Sequence, residues 1–174
     1  MGRIGRAIKQ RCEPFGIKTV YHNRRPLSAD MSAGAEYVSF EKLLTESDII
    51  SINVPLNANT KHLIGAAEIT KMKRGVVIIN TARGAIVDEA AMADALESGH
   101  IGAVGLDVYE REPEINERLV KNERALLVPH IGTHTYETLA KMEEWAMENA
   151  RRAIMGEVLL SPVPEHSELV NGNA

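Results

Sequence analysis

Residues 1–12 read MGRIGRAIKQRC, and this opening decides how the rest of the chain is parsed. Gly2 and Gly5 have the spacing of the last two glycines of G-x-G-x-x-G, a turn in which backbone approaches a pyrophosphate at a helix N-terminus. Arg3 and Ile4 lie inside the same turn. The first glycine of the pattern and the strand that normally precedes it do not occur in the sequence. Met1 stands in the variable place between the first two glycines. The expectation is a helix that starts at the glycines, in an α/β fold whose first strand is missing.

Four apolar runs carry the remaining pattern: DIISINVP at 48–55, GVVIINTA at 75–82, AVGLDVY at 103–109 and ALLVPH at 125–130. Each is rich in β-branched residues and nearly continuous, as expected for parallel strands covered on both faces. IKTVYHN at 17–23 is a fifth, weaker strand candidate. Helical patterns lie between them: GRAIKQRCEPF, FEKLLTES, GAAEITKMK and DEAAMADALESGH, the last with Asp88 and Glu89 in its first turn and Gly99 after its end. Strands alternating with helices predict a doubly wound parallel sheet of the dinucleotide-binding type.

With the strand order 3-2-1-4-5-6, the five runs become strands two to six around an absent central strand. A further helix over 136–154 carries an apolar stripe of Leu139, Met142, Ala146, Ala150 and Ile154, read as packing. The expected organisation is an N-terminally incomplete dinucleotide-binding domain over 1–155 and a proline-rich, polar, loose tail over 156–174.

The chain has 174 residues, 20 basic and 24 acidic, for a net charge of −4. That balance argues against nucleic-acid or anionic-membrane partners. Cys12 is the only cysteine; it reads as a small core residue in a protein of a reducing compartment. No stretch reaches the ~20 apolar residues of a membrane span, and a cytoplasmic location is expected. His62, His100 and His134 have no metal-ligand spacing and read as surface residues; no metal is expected.

About twenty residues past the glycine turn, an acidic residue marks an NAD site and an arginine an NADP site. This chain reads YHNRRPL there, with no carboxylate at His22, Asn23, Arg24 or Arg25. The two arginines can offer guanidinium forks to a 2′-phosphate. NADP(H) is therefore favoured, and NAD(H) is the alternative.

Three further stretches follow predicted strands: NTARGAIVDE, GLDVYEREPE and LLVPHIGTHT. They put Arg83, Glu112 and His130 beyond strand C-termini, the edge at which open α/β sheets bind ligands. These motifs, in this order and with GRIG upstream, resemble the NAD(P)-binding domain of the D-isomer-specific 2-hydroxyacid dehydrogenases, in particular the glyoxylate/hydroxypyruvate reductase branch. The resemblance runs from Met1 to about Val163.

The resemblance implies that Arg83, Glu112 and His130 form the catalytic set. It implies that Asp107 holds the nicotinamide carboxamide, that Thr81 and Ala82 line the nicotinamide pocket through their backbone, and that Val54, Pro55 and Thr60 border the adenine side. His130 and Gly132 complete the cofactor contacts. The residue types suit reduction of a small 2-keto acid: a histidine can donate a proton near neutral pH, a carboxylate can stabilise the imidazolium, and an arginine can bind the substrate carboxylate and polarise the keto oxygen.

Members of this family are about twice this length, with a substrate domain built mostly from the N-terminal part, to which the tail returns. The chain thus reads as a fragment or degenerate copy of a longer dehydrogenase, inactive if cleft closure is lost. The family implies a homodimer. Two other readings stay open: a nucleotide-sensing protein without turnover, similar to corepressors of the same family, and an inert remnant.

Overall fold

The computed structural model describes residues 1–163. The chain divides into two compact units, Met1–His130 and Ile131–Ala174. The first unit begins with α1 (Arg3–Cys12), which starts where the glycines predict: Gly2 is the extended N-cap. Its end carries Cys12, half-buried rather than core. There follow β1 (Val20–Tyr21), α2 (Ala29–Ser32), β2 (Glu36–Tyr37), α3 (Phe40–Glu46), β3 (Ile49–Ile52), α4 (Ala66–Lys71), β4 (Val76–Asn80), α5 (Glu89–Glu97), β5 (Ile101–Leu106), α6 (Glu117–Val120) and β6 (Ala125–Leu127). Gly99, at φ 71°, follows α5 in the left-handed region that glycine adopts without penalty.

All strand pairs are parallel. β3-β4-β5-β6 form one sheet in that order and β1-β2 form another. This confirms the α/β parallel architecture and corrects the strand numbering. β2, absent from the sequence reading, pairs with β1 through Val20–Glu36 and Tyr21–Tyr37. The run at 48–55, assigned beside 17–23, instead pairs with β4. Among the described residues no strand joins the β1-β2 pair to the four-stranded sheet.

Ile78, Leu96, Ile101 and Leu119 are fully enclosed at the centre of the first unit. Each such side chain contributes about 1.5–3 kcal/mol of hydrophobic stabilisation. Coverage of both faces holds best for β4, whose Val76, Ile78 and Asn80 are buried and whose Val77 and Ile79 are half-buried. It fails at the sheet edges. Ile49 of β3 and Leu126 of β6 are exposed, because an edge strand has no neighbour on one side.

The second unit holds α7 (Tyr136–Ile154), capped by Thr135, whose hydroxyl accepts from the Thr138 amide at 3.2 Å. None of its residues is buried, so its apolar stripe is not the packed face expected. Glu148 pairs with Arg151 and Arg152 at 2.8 Å each, and those hydrogen bonds hold its carboxyl down at about 2. The tail is less loose than expected as far as it is described. Asn149 Oδ1 accepts from the Leu160 amide at 2.9 Å, and Trp145 Nε1 donates to Ser161 Oγ at 3.0 Å. The remainder of that tail, from 164 on, lies outside the described residues.

Candidate active site

Strand register brings the candidate residues to one edge. Ile52 lies level with Asn80, Asn80 with Leu106, and Leu106 with Leu127. The segments leaving β3, β4, β5 and β6 therefore emerge side by side. Val54 and Pro55 leave β3, Thr81, Ala82 and Arg83 leave β4, Asp107 leaves β5, and His130 follows β6 by three residues.

The loop after β4 is shaped by Asn80, a buried polar residue at the inward position after Val76 and Ile78. Its Nδ2 donates to the Arg83 carbonyl at 2.9 Å and its Oδ1 accepts from the Ala82 amide at 3.0 Å. Those two bonds fold Thr81-Ala82-Arg83 into a tight arch. Thr81 and Arg83 are exposed, and Ala82 packs half-buried against the core. Arg83 Nη1 donates to the Ala82 carbonyl at 2.6 Å.

The next residue, Gly84, lies against the chain that leads to Glu112. A Cβ built there would be 1.9 Å from the Tyr109 carbonyl carbon. Tyr109 is itself fixed: its hydroxyl donates to the Val128 carbonyl at 2.9 Å, joining the segment after β5 to the segment after β6. Burial first, then the negative charges of Asp107, Glu112 and Glu89, push this phenol above its ordinary range. It therefore remains a donor.

Glu112 and His130 meet at the centre of this arrangement, with His130 Nδ1 donating to Glu112 Oε2 at 2.8 Å. The Tyr109 amide donates to Glu112 Oε1 at 3.0 Å. The hydrogen bond from His130, then that from the Tyr109 amide, hold the Glu112 carboxyl below the usual carboxylate range, and the charges of His130 and Arg83 act in the same direction. Both side chains remain partly open to solvent, 48% for His130 and 36% for Glu112. With Nδ1 turned to the carboxylate, Nε2 is the ring nitrogen that can reach a substrate oxygen.

The backbone at His130 is left-handed, with φ at 54°. That region costs an L-residue roughly 1–2 kcal/mol, and such outliers cluster at functional sites.

The glycine turn fits a phosphate-bearing group. Gly2 caps a ten-residue helix without any side-chain hydrogen bond to its first amides, and a Cβ at Gly2 would meet nothing within 4 Å. Arg3 and Ile4 are exposed, whereas Gly5 is buried with room of only 3.1 Å to the Met1 side chain. Asn23, just past β1, accepts a hydrogen bond from the Met1 amino group, which brings the Asn23-Arg24-Arg25 segment beside the turn. Both arginines are exposed. Thr60 closes the loop after β3: its hydroxyl donates to the Pro55 carbonyl at 2.6 Å and accepts from the Asn57 amide at 2.8 Å. Asp107 is buried, with its amide donating to the Asn80 carbonyl at 3.0 Å. Gly132 belongs to the second unit.

One histidine departs from the surface reading: His100 is half-buried, and its Nε2 donates to the Ile69 carbonyl at 2.8 Å. His62 and His134 are exposed as expected, with His62 Nε2 meeting Glu110 Oε1 at 2.9 Å. Sequence reading also missed Asn80, Gly84, Glu89 and Tyr109. A polar residue in the buried phase of a strand was the available signal for Asn80; the others bind partners too distant in sequence to leave one.

An open parallel sheet, a glycine turn at a helix start and a His–Glu pair at the strand C-termini define a Rossmann-like dinucleotide-binding domain. Residues 1–132 match the family described as D-isomer specific 2-hydroxyacid dehydrogenase, NAD binding domain, and the chain belongs to that family. It is 54% identical over 166 residues to glyoxylate reductase 1 of Saccharomyces cerevisiae, an alignment covering 95% of this chain and 47% of that one. The crystal structure of a glyoxylate reductase from Paecilomyes thermophila superposes with a TM-score of 0.93 at 53% identity, over 96% of this chain and 51% of that one. An NADPH-dependent glyoxylate/hydroxypyruvate reductase from Sinorhizobium meliloti, solved with NADP and malonate, gives a TM-score of 0.89 at 33% identity, over 94% and 51%. The chain thus spans about half the length of the relatives it matches. Among the described residues, no helix is long and apolar enough to cross a membrane.

Proposed function

We propose that the chain is the cofactor-binding and proton-transferring half of an NAD(P)-dependent D-2-hydroxyacid dehydrogenase, acting on a small 2-keto acid such as glyoxylate or hydroxypyruvate. The observation that carries this reading is the 2.8 Å contact between His130 Nδ1 and Glu112 Oε2 at the strand C-termini. When bound, the reduced nicotinamide supplies the hydride to the carbonyl carbon. His130 gives the proton on Nε2 to the carbonyl oxygen, and Glu112 stabilises the imidazolium before transfer. Arg83 binds the substrate carboxylate and counters charge developing on the oxygen. In the oxidative direction His130 takes the proton from the hydroxyl.

In this proposal Gly2, Arg3, Ile4 and Gly5 face the pyrophosphate. Val54, Pro55 and Thr60 border the adenine side, and Thr81, Ala82, Asp107 and His130 surround the nicotinamide. Asn23, Arg24 and Arg25 take the 2′-phosphate, so NADP(H) is preferred over NAD(H). The domain extends over 1–155, and 156–174 returns to the substrate domain in the longer protein. A homodimer in the cytoplasm completes the proposal; exposed Met142, Trp145, Met147 and Ile154 on α7 support an interface.

Titration with NADPH, following Trp145 and cofactor fluorescence, tests binding. Oxidation of NADPH in the presence of glyoxylate or hydroxypyruvate tests turnover. Binding with turnover supports the dehydrogenase, and neither refutes it. Binding without turnover is the second reading, that of a nucleotide-sensing protein, favoured by the exposure of the His130 and Glu112 side chains.

A further inference from the structure

The proposed chemistry makes no use of Glu89, yet its carboxylate is buried. Buried acids need partners, and the partners here are two backbone amides. Glu89 Oε2 accepts from the Glu110 amide at 2.9 Å, and Oε1 accepts from the Asn116 amide at 3.1 Å. These amides are the two ends of the seven-residue segment that carries Glu112. Inside it, the Glu114 amide donates to the Arg111 carbonyl at 2.9 Å and closes a turn. The near end is also gripped by His62 on Glu110 and by the approach of Gly84 to Tyr109. The far end, Asn116, is tied back to that place through Glu89.

We propose that Glu89 is a positioning residue for the Glu112–His130 pair: one carboxylate, fixed at the first residue of α5, joins both ends of the segment that presents Glu112. Its functional meaning rests on the proton-transfer reading of that pair, whereas the tie itself is geometry. A plain structural role, an acid in the first turn of α5 favouring the helix dipole, would stabilise the helix and leave Glu112 where it is.

The test is the carboxyl titration of Glu112, followed by carbon-detected NMR in the 174-residue chain. Glu112 begins below the usual carboxylate range. In Glu89→Gln one oxygen becomes an NH2 facing a backbone N–H, so one tie is lost, and Glu112 should titrate upward toward an ordinary glutamate while Glu148 stays put. Asp88→Ala removes the N-cap of the same helix, whose carboxylate accepts from the Ala91 amide at 3.0 Å. It should lower the melting temperature without moving Glu112. An unmoved Glu112 in Glu89→Gln, or equal shifts in both variants, overturns the proposal.

If Glu89→Gln does not fold, Asn116→Pro is compared with Asn116→Ala. Both lose the side-chain cap on the Arg118 amide, only proline also removes the N–H that Glu89 accepts, and the φ of −56° at Asn116 suits it. Only the proline variant should shift Glu112; matching titrations overturn the tie. Failure of NADPH oxidation would sink the dehydrogenase reading without touching this one.

Discussion

Gly84 and Tyr109 meet backbone to backbone: a methyl group on Gly84 would lie 1.9 Å from the Tyr109 carbonyl carbon and 2.1 Å from its oxygen. The contact holds the loop bearing Arg83 against the segment bearing Glu112. Gly84→Ala should therefore destabilise the first unit by at least the 1–3 kcal/mol typical of roughly one extra methyl in a packed site. Urea denaturation measures the loss. A stability equal to that of the unchanged chain would mean that the two segments are not locked together.

His130→Gln keeps a polar side chain but removes the titrating ring. Turnover of glyoxylate or hydroxypyruvate should fall by about 10²–10⁴-fold, with little change in NADPH affinity. Steady-state rates beside a fluorescence titration separate the two effects. Equal losses in both would remove His130 from its role as proton donor.

Replacing Arg24 and Arg25 together by alanine should weaken NADPH binding and leave NADH binding nearly unchanged. Hydrogen bonds to charged groups are worth about 1.5–3 kcal/mol, which corresponds to roughly 10- to 100-fold in affinity. Paired titrations with the two cofactors read the difference. If both affinities move alike, the arginines do not recognise the 2′-phosphate.

Asn80→Ala deletes the acceptor of the Ala82 amide and the donor to the Arg83 carbonyl. An unsatisfied buried group costs about 1–3 kcal/mol. Thr81→Ala, one residue on and exposed, should stay within roughly 0.5 kcal/mol of the parent, as surface changes do. Comparable losses in the two variants would show that the arch does not depend on Asn80.

The lowered Glu112 carboxyl gives a pH signature. A carboxyl with a depressed folded value stabilises the fold above its unfolded pKa, about 4.3 for glutamate. That contribution disappears as pH falls through the folded value. Glu112→Gln lacks it, so the stability gap between parent and variant should be full near neutrality, narrow below about pH 4, and close in stronger acid. Urea midpoints taken across that range would show two converging curves; parallel ones would contradict the pairing.

The most legible parts of the sequence were those in which local chemistry and long apolar runs agreed. α1 begins at Arg3, directly after the Gly2 N-cap, where the glycine spacing placed a helix start. Arg83 and His130 were read from short motifs near strand ends, and the register of β3–β6 carries both motifs to one sheet edge. β2 went unseen because Glu36 and Tyr37 are two exposed residues with no periodicity, and missing it displaced the strand beside β4. Glu89 looked like any first-turn acid; its amide partners are 21 and 27 residues away, and backbone donors leave no trace in sequence. The stripe on α7 had helical spacing, but spacing cannot say what a face meets.

The left-handed backbone at His130 puts stability and chemistry in opposition at a single residue. Glycine there would relieve roughly 1–2 kcal/mol of conformational strain but would give up the hydrogen bond to Glu112 and add freedom to the unfolded chain, so the melting temperature of His130→Gly should stay near the parent's while the proton donor is lost. Added imidazole could then restore part of the rate from solution. The strain sits on the residue whose ring the Glu112 pairing requires, and that pairing is what offsets it.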